Sequence, residues 1–199
     1  MSGSQFWNER YRKAEYVYGK SPNIYFIQQL QQLKPGKLLL PCEGEGRNAV
    51  AAAALGWDVT AYDQSEEGKR KALLLAEEHG VSIKYLVGQW QELEFNDDFD
   101  AIGLIYAHMP FSEREHFHRS VSRSLQPGGY LILEGFHAKQ LGNSSGGPQQ
   151  VEMLFTEEML RSDFDQLTID SINDLEIDLD EGPYHKGKAH VIRLLAYLH

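Results

Sequence analysis

Apolar runs and amphipathic stretches alternate along most of the chain. Residues 37–42 form a short apolar run between turn signals, which is typical of a strand covered on both faces of a sheet. Residues 47–56 are rich in alanine and end at Gly56, a pattern that predicts a helix. The same patterns predict strands at residues 58–63, 82–87, 100–107 and 130–134 and helices at residues 65–80, 112–125 and 156–162. Successive strand–helix units predict an open parallel sheet with helices on both faces.

The two ends of the chain depart from this alternation. Near the N-terminus, Ser21 and Pro22 precede apolar residues at helical spacing, which predicts a capped helix ending near residue 35. Near the C-terminus, residues 167–179 and 190–198 have the pattern of strands, and no helical pattern separates them. Two consecutive strands without a helix between them pair antiparallel, so we expect a hairpin at the end of the sheet.

Length and composition are those of an ordinary globular protein. The 199 residues are 42% hydrophobic and 24% charged, which excludes disorder, collagen and coiled coil. No repeat, low-complexity run or long linker divides the sequence. We therefore expect one domain over residues 1–199, with an N-terminal cap segment and helix in residues 1–35 and the core in residues 36–199.

Charge and cysteine content narrow the class of partner. Nineteen basic and twenty-nine acidic residues give a net charge of −10. Nucleic acid is bound chiefly through Lys and Arg, so neither nucleic acid nor an anionic membrane is an expected partner. The single cysteine, Cys42, excludes a disulfide framework, and the polar first residues lack a secretory signal pattern. We expect a cytoplasmic protein, monomeric or homodimeric, that acts on a small molecule and binds no metal.

A glycine-rich loop follows the first predicted strand of the sheet and opens the next helix. Gly44, Gly46 and Ala49 match the Gly-x-Gly-x-x-Gly/Ala pattern of dinucleotide sites. Asp63 ends the second strand at a spacing of ~20 residues, where a carboxylate accepts hydrogen bonds from a ribose. The loop and Asp63 therefore predict a ligand that contains adenosine, without distinguishing among cofactors.

Two glutamates in the loop favour one class of cofactor. Glu43 and Glu45 flank Gly44 and oppose the anionic pyrophosphate that a nicotinamide dinucleotide places against such a loop. S-adenosylmethionine (SAM) has no phosphate there; its sulfonium and ammonium groups are attracted by carboxylates. The charges therefore favour SAM over a nicotinamide cofactor. For Glu45, a simpler interpretation is that it complements the dipole of the following helix.

The ordered set of motifs resembles a known family, the class I SAM-dependent methyltransferases of the tellurite-resistance and thiopurine-methyltransferase-like branch. The segments that carry the resemblance are residues 6–11, 15–19, 43–48, 59–65, 125–130, 146–148, 154–156 and 181–187. The resemblance covers nearly the whole chain. It implies an α/β fold with a Rossmann-like core, in which a doubly wound, seven-stranded sheet is mostly parallel and has an antiparallel C-terminal strand.

The chain departs from the family pattern at three positions. Leu40 lies where an acidic residue is usual, and Cys42 lies where the first glycine is usual. Gln89 replaces an acidic residue near the adenine, whose edge an amide can still bond as donor or acceptor. The N-terminal aromatic residues form either an apolar cover on the sheet or a lid whose ring faces attract a sulfonium. The resemblance gives Tyr18 and Gly19 the ligand-facing position.

Two histidines are candidates for proton transfer. His108 follows the fourth predicted strand, and ligands of open α/β sheets bind beyond the carboxyl ends of the strands. His185 lies in the turn between the last two strands. A histidine at either place can orient a nucleophile or accept its proton. For His108, the alternative interpretation is a loop histidine bonded to backbone.

The sequence thus predicts methyl transfer from SAM to a small-molecule acceptor, and the resemblance favours a thiol or chalcogen nucleophile. Two alternatives stay open: a nicotinamide-dependent oxidoreductase and a non-catalytic protein that binds SAM. The predicted catalytic residues are His108 and His185. The predicted cofactor-binding residues are Tyr18, Gly19, Glu43, Gly44, Glu45, Gly46, Asn48, Asp63, Gln64, Ser65, Gln89, Trp90 and Tyr106.

Overall fold

A seven-stranded sheet forms the centre of the protein in the computed structural model, which describes residues 3–92 and 98–199. Its strands are β1 (Lys37–Pro41), β2 (Asp58–Asp63), β3 (Lys84–Val87), β4 (Phe99–Ile105), β5 (Leu125–Phe136), β6 (Thr168–Asp180) and β7 (Lys186–Tyr197). They lie in the order β3-β2-β1-β4-β5-β7-β6. The pairs from β3 to β5 are parallel, and β7 is antiparallel to both β5 and β6. The predicted α/β sheet and its C-terminal hairpin are confirmed.

Helices cover both faces of the sheet, as the alternating pattern predicts. On one face, Phe117 and Leu160 pack against Leu39; on the other, Phe26 packs in a second core cluster with Leu38. Neighbouring strand residues therefore point to opposite cores, which explains the continuous apolar run of β1. The helices are α1 (Gly3–Tyr11), α2 (Ile24–Leu30), α3 (Arg47–Ala54), α4 (Glu66–Glu78), α5 (Phe111–Ser122) and α6 (Glu157–Asp163).

Several element boundaries differ from the sequence prediction. Asn23, not Ser21, caps α2, because its side chain accepts a hydrogen bond from Phe26 N at 2.9 Å. Leu125, predicted as the end of a helix, begins β5, and α5 ends at Ser122. The helix α1 was not predicted as a helix. No helix in the described ranges has the length and apolar character needed to cross a membrane.

The strand order creates a crevice beyond the carboxyl ends of β1 and β4. Chain connections leave these neighbouring strands in opposite directions across the sheet, which is where ligands bind in open α/β folds. Cys42 and Tyr106, which follow the two strands, have φ angles of 57° and 54°. A side-chain-bearing residue in this left-handed region costs of order 1–3 kcal/mol. Cys42 thus keeps the backbone geometry of the glycine that the family pattern has there.

Candidate active site

A cavity of about 870 Å³ opens at this crevice. Of the fifteen residues predicted for the site, all but Gly46 and Ser65 lie in its wall. Gly46 lies behind the wall with φ 86°, where a Cβ would come within 2.5 Å of Ala72 Cβ. Ser65 caps α4, since its hydroxyl accepts a hydrogen bond from Gly68 N at 3.0 Å. These two residues shape the site from behind.

The glycine loop and Asp63 meet on one side of the cavity. Gly44 has φ 61°, and a Cβ there would lie 2.7 Å from the Tyr11 hydroxyl, so only glycine fits. Asp63 Oδ1 accepts from Ser65 N at 2.9 Å, and Oδ2 accepts from Gly44 N at 3.2 Å. Burial raises the pKa of Asp63 to about 6, against these hydrogen bonds. Each carboxylate oxygen keeps a lone pair for a ribose hydroxyl.

The two loop glutamates are bound by groups of the protein itself. Glu43 Oε1 accepts from the backbone N–H groups of Asn48 and Ala49, both at 2.8 Å, and so caps α3. Burial raises the pKa of Glu43 to about 7. Glu45 Oε2 accepts from Val17 N at 2.7 Å, and its Oε1 pairs with Lys71. These partners give both glutamates a role in the fold, which weakens the argument that they attract a sulfonium.

The N-terminal segment forms another wall of the cavity. Trp7 stacks on the buried ring of Tyr11 at 5.4 Å between ring centroids. Asn8 Oδ1 accepts from the Ser65 hydroxyl at 2.8 Å and from Glu67 N at 3.1 Å, which fastens α1 to the start of α4. Phe6, Trp7, Tyr11 and Tyr18 all line the cavity, and of these Tyr11 is almost fully buried. The aromatic residues therefore form part of the cavity wall, and a role as a lid over a sulfonium stays a prediction.

Arg10 is a wall residue that sequence reasoning missed. Its guanidinium carbon lies 4.8 Å from the ring centroids of both Phe6 and Tyr184. Its Nη1 donates to the Tyr18 hydroxyl at 3.3 Å. These contacts hold a positive charge between aromatic rings at the cavity wall. Arg10 belongs to a segment that carries the family resemblance, but no role was assigned to it, because its partners Tyr18 and Tyr184 lie outside its helix.

His108 has both ring nitrogens bonded to backbone. Nδ1 lies 2.8 Å from Met153 O and donates to it, while Nε2 accepts from Phe136 N at 3.0 Å. Burial lowers the pKa of His108 to about 4. A neutral ring with both nitrogens occupied has no position left for a substrate proton. The geometry counts against the predicted catalytic role and supports the alternative, a loop histidine that joins two backbone segments.

His185 has one nitrogen bonded and one without a partner in the described chain. Nδ1 lies 3.3 Å from Glu181 Oε2, and no hydrogen bond to Nε2 occurs within residues 3–92 and 98–199. The ring is 5% exposed, lines the cavity and lies 4.5 Å from the Tyr18 ring centroid. Burial lowers the pKa of His185 below its ordinary value. A neutral imidazole with one nitrogen free suits a proton acceptor.

The remaining predicted residues lie around the same cavity. The Tyr106 hydroxyl donates to Glu134 Oε1 at 2.8 Å. The Tyr106 ring lies beside that of Phe136, and both residues line the cavity. Trp90 Nε1 donates to Glu113 Oε2 at 3.1 Å. Within the described ranges, no group of three or more His, Cys, Asp and Glu side chains could hold a metal ion. Wall residues that sequence reasoning did not select include Arg10, Arg47, Phe136 and Tyr184.

Comparison with known proteins finds a family model over part of the chain and one curated relative. Residues 41–133 match a family model described as a methyltransferase domain. The ubiquinone biosynthesis O-methyltransferase of Rickettsia canadensis (strain McKiel) is 29% identical over 122 residues, which cover 61% of this chain and 49% of that protein. The chain thus spans about half the length of the curated relative that it matches.

Solved structures share the fold across nearly the whole chain. A structure reported for the conversion of a disulfide bond into a thioacetal group in echinomycin biosynthesis has a TM-score of 0.79 and 16% identity, covering 99% of this chain and 92% of that one. TehB from Haemophilus influenzae has a TM-score of 0.73 and 16% identity, covering 98% and 67%. A SAM-dependent methyltransferase from Clostridium acetobutylicum ATCC 824 has a TM-score of 0.69 and 16% identity, covering 98% and 96%.

These matches leave the tellurite-resistance branch undecided, and they support neither the nicotinamide oxidoreductase nor the non-catalytic protein. The sheet order and hairpin are those of the Rossmann-like methyltransferase fold. Residues 41–133 match the methyltransferase domain model, and the solved structures, at 16–21% identity, show the same fold.

Proposed function

We propose that the protein transfers the methyl group of SAM to a small-molecule nucleophile bound beside His185. One observation carries the proposal: a single cavity joins the Gly44–Asp63 side to an imidazole nitrogen with no partner in the described chain. Ribose recognition and proton acceptance are thus available within one space. The cavity of about 870 Å³ has to hold the cofactor as well as the acceptor, which favours a small acceptor.

The residues present fit the cofactor. Gly44, which has no side chain, and Asp63 both line the cavity, and the Asp63 carboxylate keeps acceptor capacity there. Gln89 and Trp90 line the wall beyond β3, where they would hold the adenine. When bound, SAM supplies an electrophilic methyl carbon on a sulfonium. Every other step depends on how this chain positions the acceptor and takes its proton.

The wall beside His185 favours a soft nucleophile. The rings of Tyr18, Tyr106 and Phe136 have centroids 4.5, 4.6 and 5.2 Å from that of His185. Sulfur makes favourable contacts with aromatic rings, so we propose a thiol or chalcogen acceptor. The echinomycin neighbour, whose reported reaction changes a disulfide, supports this class. The similarity to an O-methyltransferase favours an oxygen nucleophile as the second candidate.

His185 would act as the proton acceptor. As a lone pair of the acceptor bonds to the methyl carbon, the acceptor's proton passes to Nε2 of His185. The electron pair of the broken carbon–sulfur bond stays on the departing sulfur, so charges and atoms balance. General-base help of this kind contributes ~10²–10⁴-fold, while positioning alone lowers a barrier by ~7–11 kcal/mol.

Calorimetry and a turnover assay test the proposal together. We expect SAM and its demethylated product to bind and NADH not to bind. Turnover is then measured with thiols, selenite, tellurite and phenols. Binding of NADH without SAM would favour the oxidoreductase, and SAM binding without turnover on any acceptor would favour a non-catalytic protein. Transfer to phenols alone would replace the thiol or chalcogen assignment by the oxygen one.

A further inference from the structure

The turn between β6 and β7 gathers three hydrogen-bond donors on one buried carboxylate. Glu181 Oε2 accepts from Arg47 Nη2 at 2.9 Å and lies 3.3 Å from His185 Nδ1. Its Oε1 accepts from Asn23 Nδ2 at 3.2 Å. The Arg47 and Glu181 side chains are 7% and 12% exposed, so solvent screens this pair little. Glu181 is thus the centre of a polar cluster next to the cavity.

The partners of Glu181 come from distant parts of the chain. Arg47 is the first residue of α3 and belongs to the glycine loop, while Asn23 caps α2. The turn backbone is also fixed, because a Cβ on Gly182 would lie 2.5 Å from Gly19 N. The carboxylate therefore connects the His185 turn to the glycine loop through a rigid contact.

We propose that Glu181 is a positioning residue, which accepts a hydrogen bond from Nδ1–H of His185 and so keeps Nε2 unprotonated towards the cavity. Through its ion pair with Arg47, Glu181 also connects His185 to the glycine loop. The proposal rests on the proposed function, in which His185 accepts the acceptor's proton. A carboxylate on one imidazole nitrogen fixes the tautomer, and the other nitrogen is then the base.

The charges around His185 predict the direction in which the pKa of His185 changes when one of them is removed. Burial lowers the pKa of His185, Arg47 lowers it further, and Glu181 and Glu134 raise it. Although burial raises the pKa of Glu181, His185 and Arg47 bring it to about 2, so its carboxylate is charged at neutral pH. The titratable groups that face His185 from the surrounding elements are Arg47, His108, Glu134, Glu181 and the hydroxyls of Tyr18 and Tyr106.

The purely structural alternative predicts a different response. If Glu181 only joins the hairpin to α3, its loss loosens the turn and admits water to His185. The pKa of His185 then rises towards its ordinary value in both Glu181→Gln and Arg47→Gln. A positioning role predicts opposite signs, because one variant removes a negative charge and the other a positive one.

The test is an NMR titration of the histidine nitrogens, with SAM and acceptor both absent. In the wild type we expect the Nδ1–H tautomer at His185, identified by the loss of its signal in His185→Ala. In Glu181→Gln we expect a mixed tautomer and a lower pKa, and in Arg47→Gln a higher pKa. Glu176→Gln is the matched control, since Glu176 lies 3.6 Å from His190 on the exposed part of the same hairpin.

An unchanged tautomer, or a pKa of His185 that rises in Glu181→Gln, would overturn the proposal. Should Glu181→Gln fail to fold, Glu181→Asp keeps the charge and must keep the Nδ1–H tautomer. On any accepted substrate, Glu181→Gln should lower kcat by up to the ~10²–10⁴-fold of proton transfer, with an unchanged KM for SAM. Failure of the proposed function appears instead as absent SAM binding or turnover, with the NMR result intact.

Discussion

The loop after β4 and the β6–β7 turn each bring a histidine to the same cavity, with opposite results. His108 joins two backbone groups and has no nitrogen left, whereas His185 has one nitrogen held by a carboxylate and one free of partners in the described chain. Both rings are buried, and burial lowers both pKa values. A histidine at the carboxyl edge of a sheet is therefore not a proton acceptor by its location alone. It can accept a proton only if one of its ring nitrogens is left without a hydrogen bond to the protein.

The largest expected effect separates the two histidines by turnover. His185→Ala should lower methyl transfer by ~10²–10⁴-fold, because it removes the proton acceptor, while SAM affinity stays the same. His108→Ala, in folded protein, should lose far less. Single-turnover rates with an accepted substrate and calorimetry with SAM measure the two effects. Equal losses of turnover in both variants would show that the two histidines do not differ in their role.

The next effect is on SAM affinity and concerns the glycine-loop side of the cavity. Asp63→Ala should weaken SAM binding at least tenfold, because charge-assisted hydrogen bonds contribute ~1.5–3 kcal/mol each. Asp58→Ala is the matched control, since Asp58 lies exposed at the opposite end of the same strand. Calorimetry checks both variants. An unaltered SAM dissociation constant in folded Asp63→Ala would refute the ribose assignment.

A smaller effect concerns stability at the His108 loop. His108→Ala leaves Met153 O and Phe136 N without their partner, so we expect unfolding to become easier by ~1–3 kcal/mol. Denaturant unfolding at neutral pH measures this free energy. His199→Ala, at the exposed C-terminus, should leave it unchanged. A loss no greater than that of the control would mean that the two hydrogen bonds contribute nothing.

The last effect is the pH dependence of that difference. The pKa of His108 is about 4 in the folded protein against an ordinary value of 6.5, so the unfolded chain binds more protons between these values. The stability that neutral His108 contributes is complete above pH 6.5 and is lost as the pH falls towards 4. The gap in unfolding free energy between wild type and His108→Ala should therefore shrink over this range. A gap that is constant from about pH 7 to 4 would contradict the low pKa.

The glycine-loop side of the site was predictable because its interactions are local in sequence. Asp63 bonds Ser65 and Gly44, both within about twenty residues of it. Such spacing is visible as a motif. The alternation of strands and helices is likewise a local pattern, so the sheet and its hairpin could be predicted.

The hairpin side was not predictable in the same way. Glu181 pairs with Arg47 across 134 residues and with Asn23 across 158, and Glu134 meets Asn23 across 111. No spacing marks such pairs, because folding alone brings them together. The prediction from Glu43 and Glu45 shows that a visible charge does not reveal which group of the protein binds it. Their charges were evident in the sequence, but Lys71 and the backbone groups that bind them were not.

The contact of Gly19 with Gly182 restricts how this protein can be recombined with its relatives. Where the strap at residues 17–23 meets the turn at residues 181–187, a Cβ on Gly182 would lie 2.5 Å from Gly19 N, and a Cβ on Gly19 would lie 3.1 Å from Glu181 O. A chimaera that imports a new hairpin to change the acceptor, while keeping the native strap, would clash or lose the Arg47 and Asn23 contacts. Exchanging both segments together preserves the contact between Gly19 and Gly182. We therefore expect acceptor specificity to transfer between relatives only when both segments are exchanged.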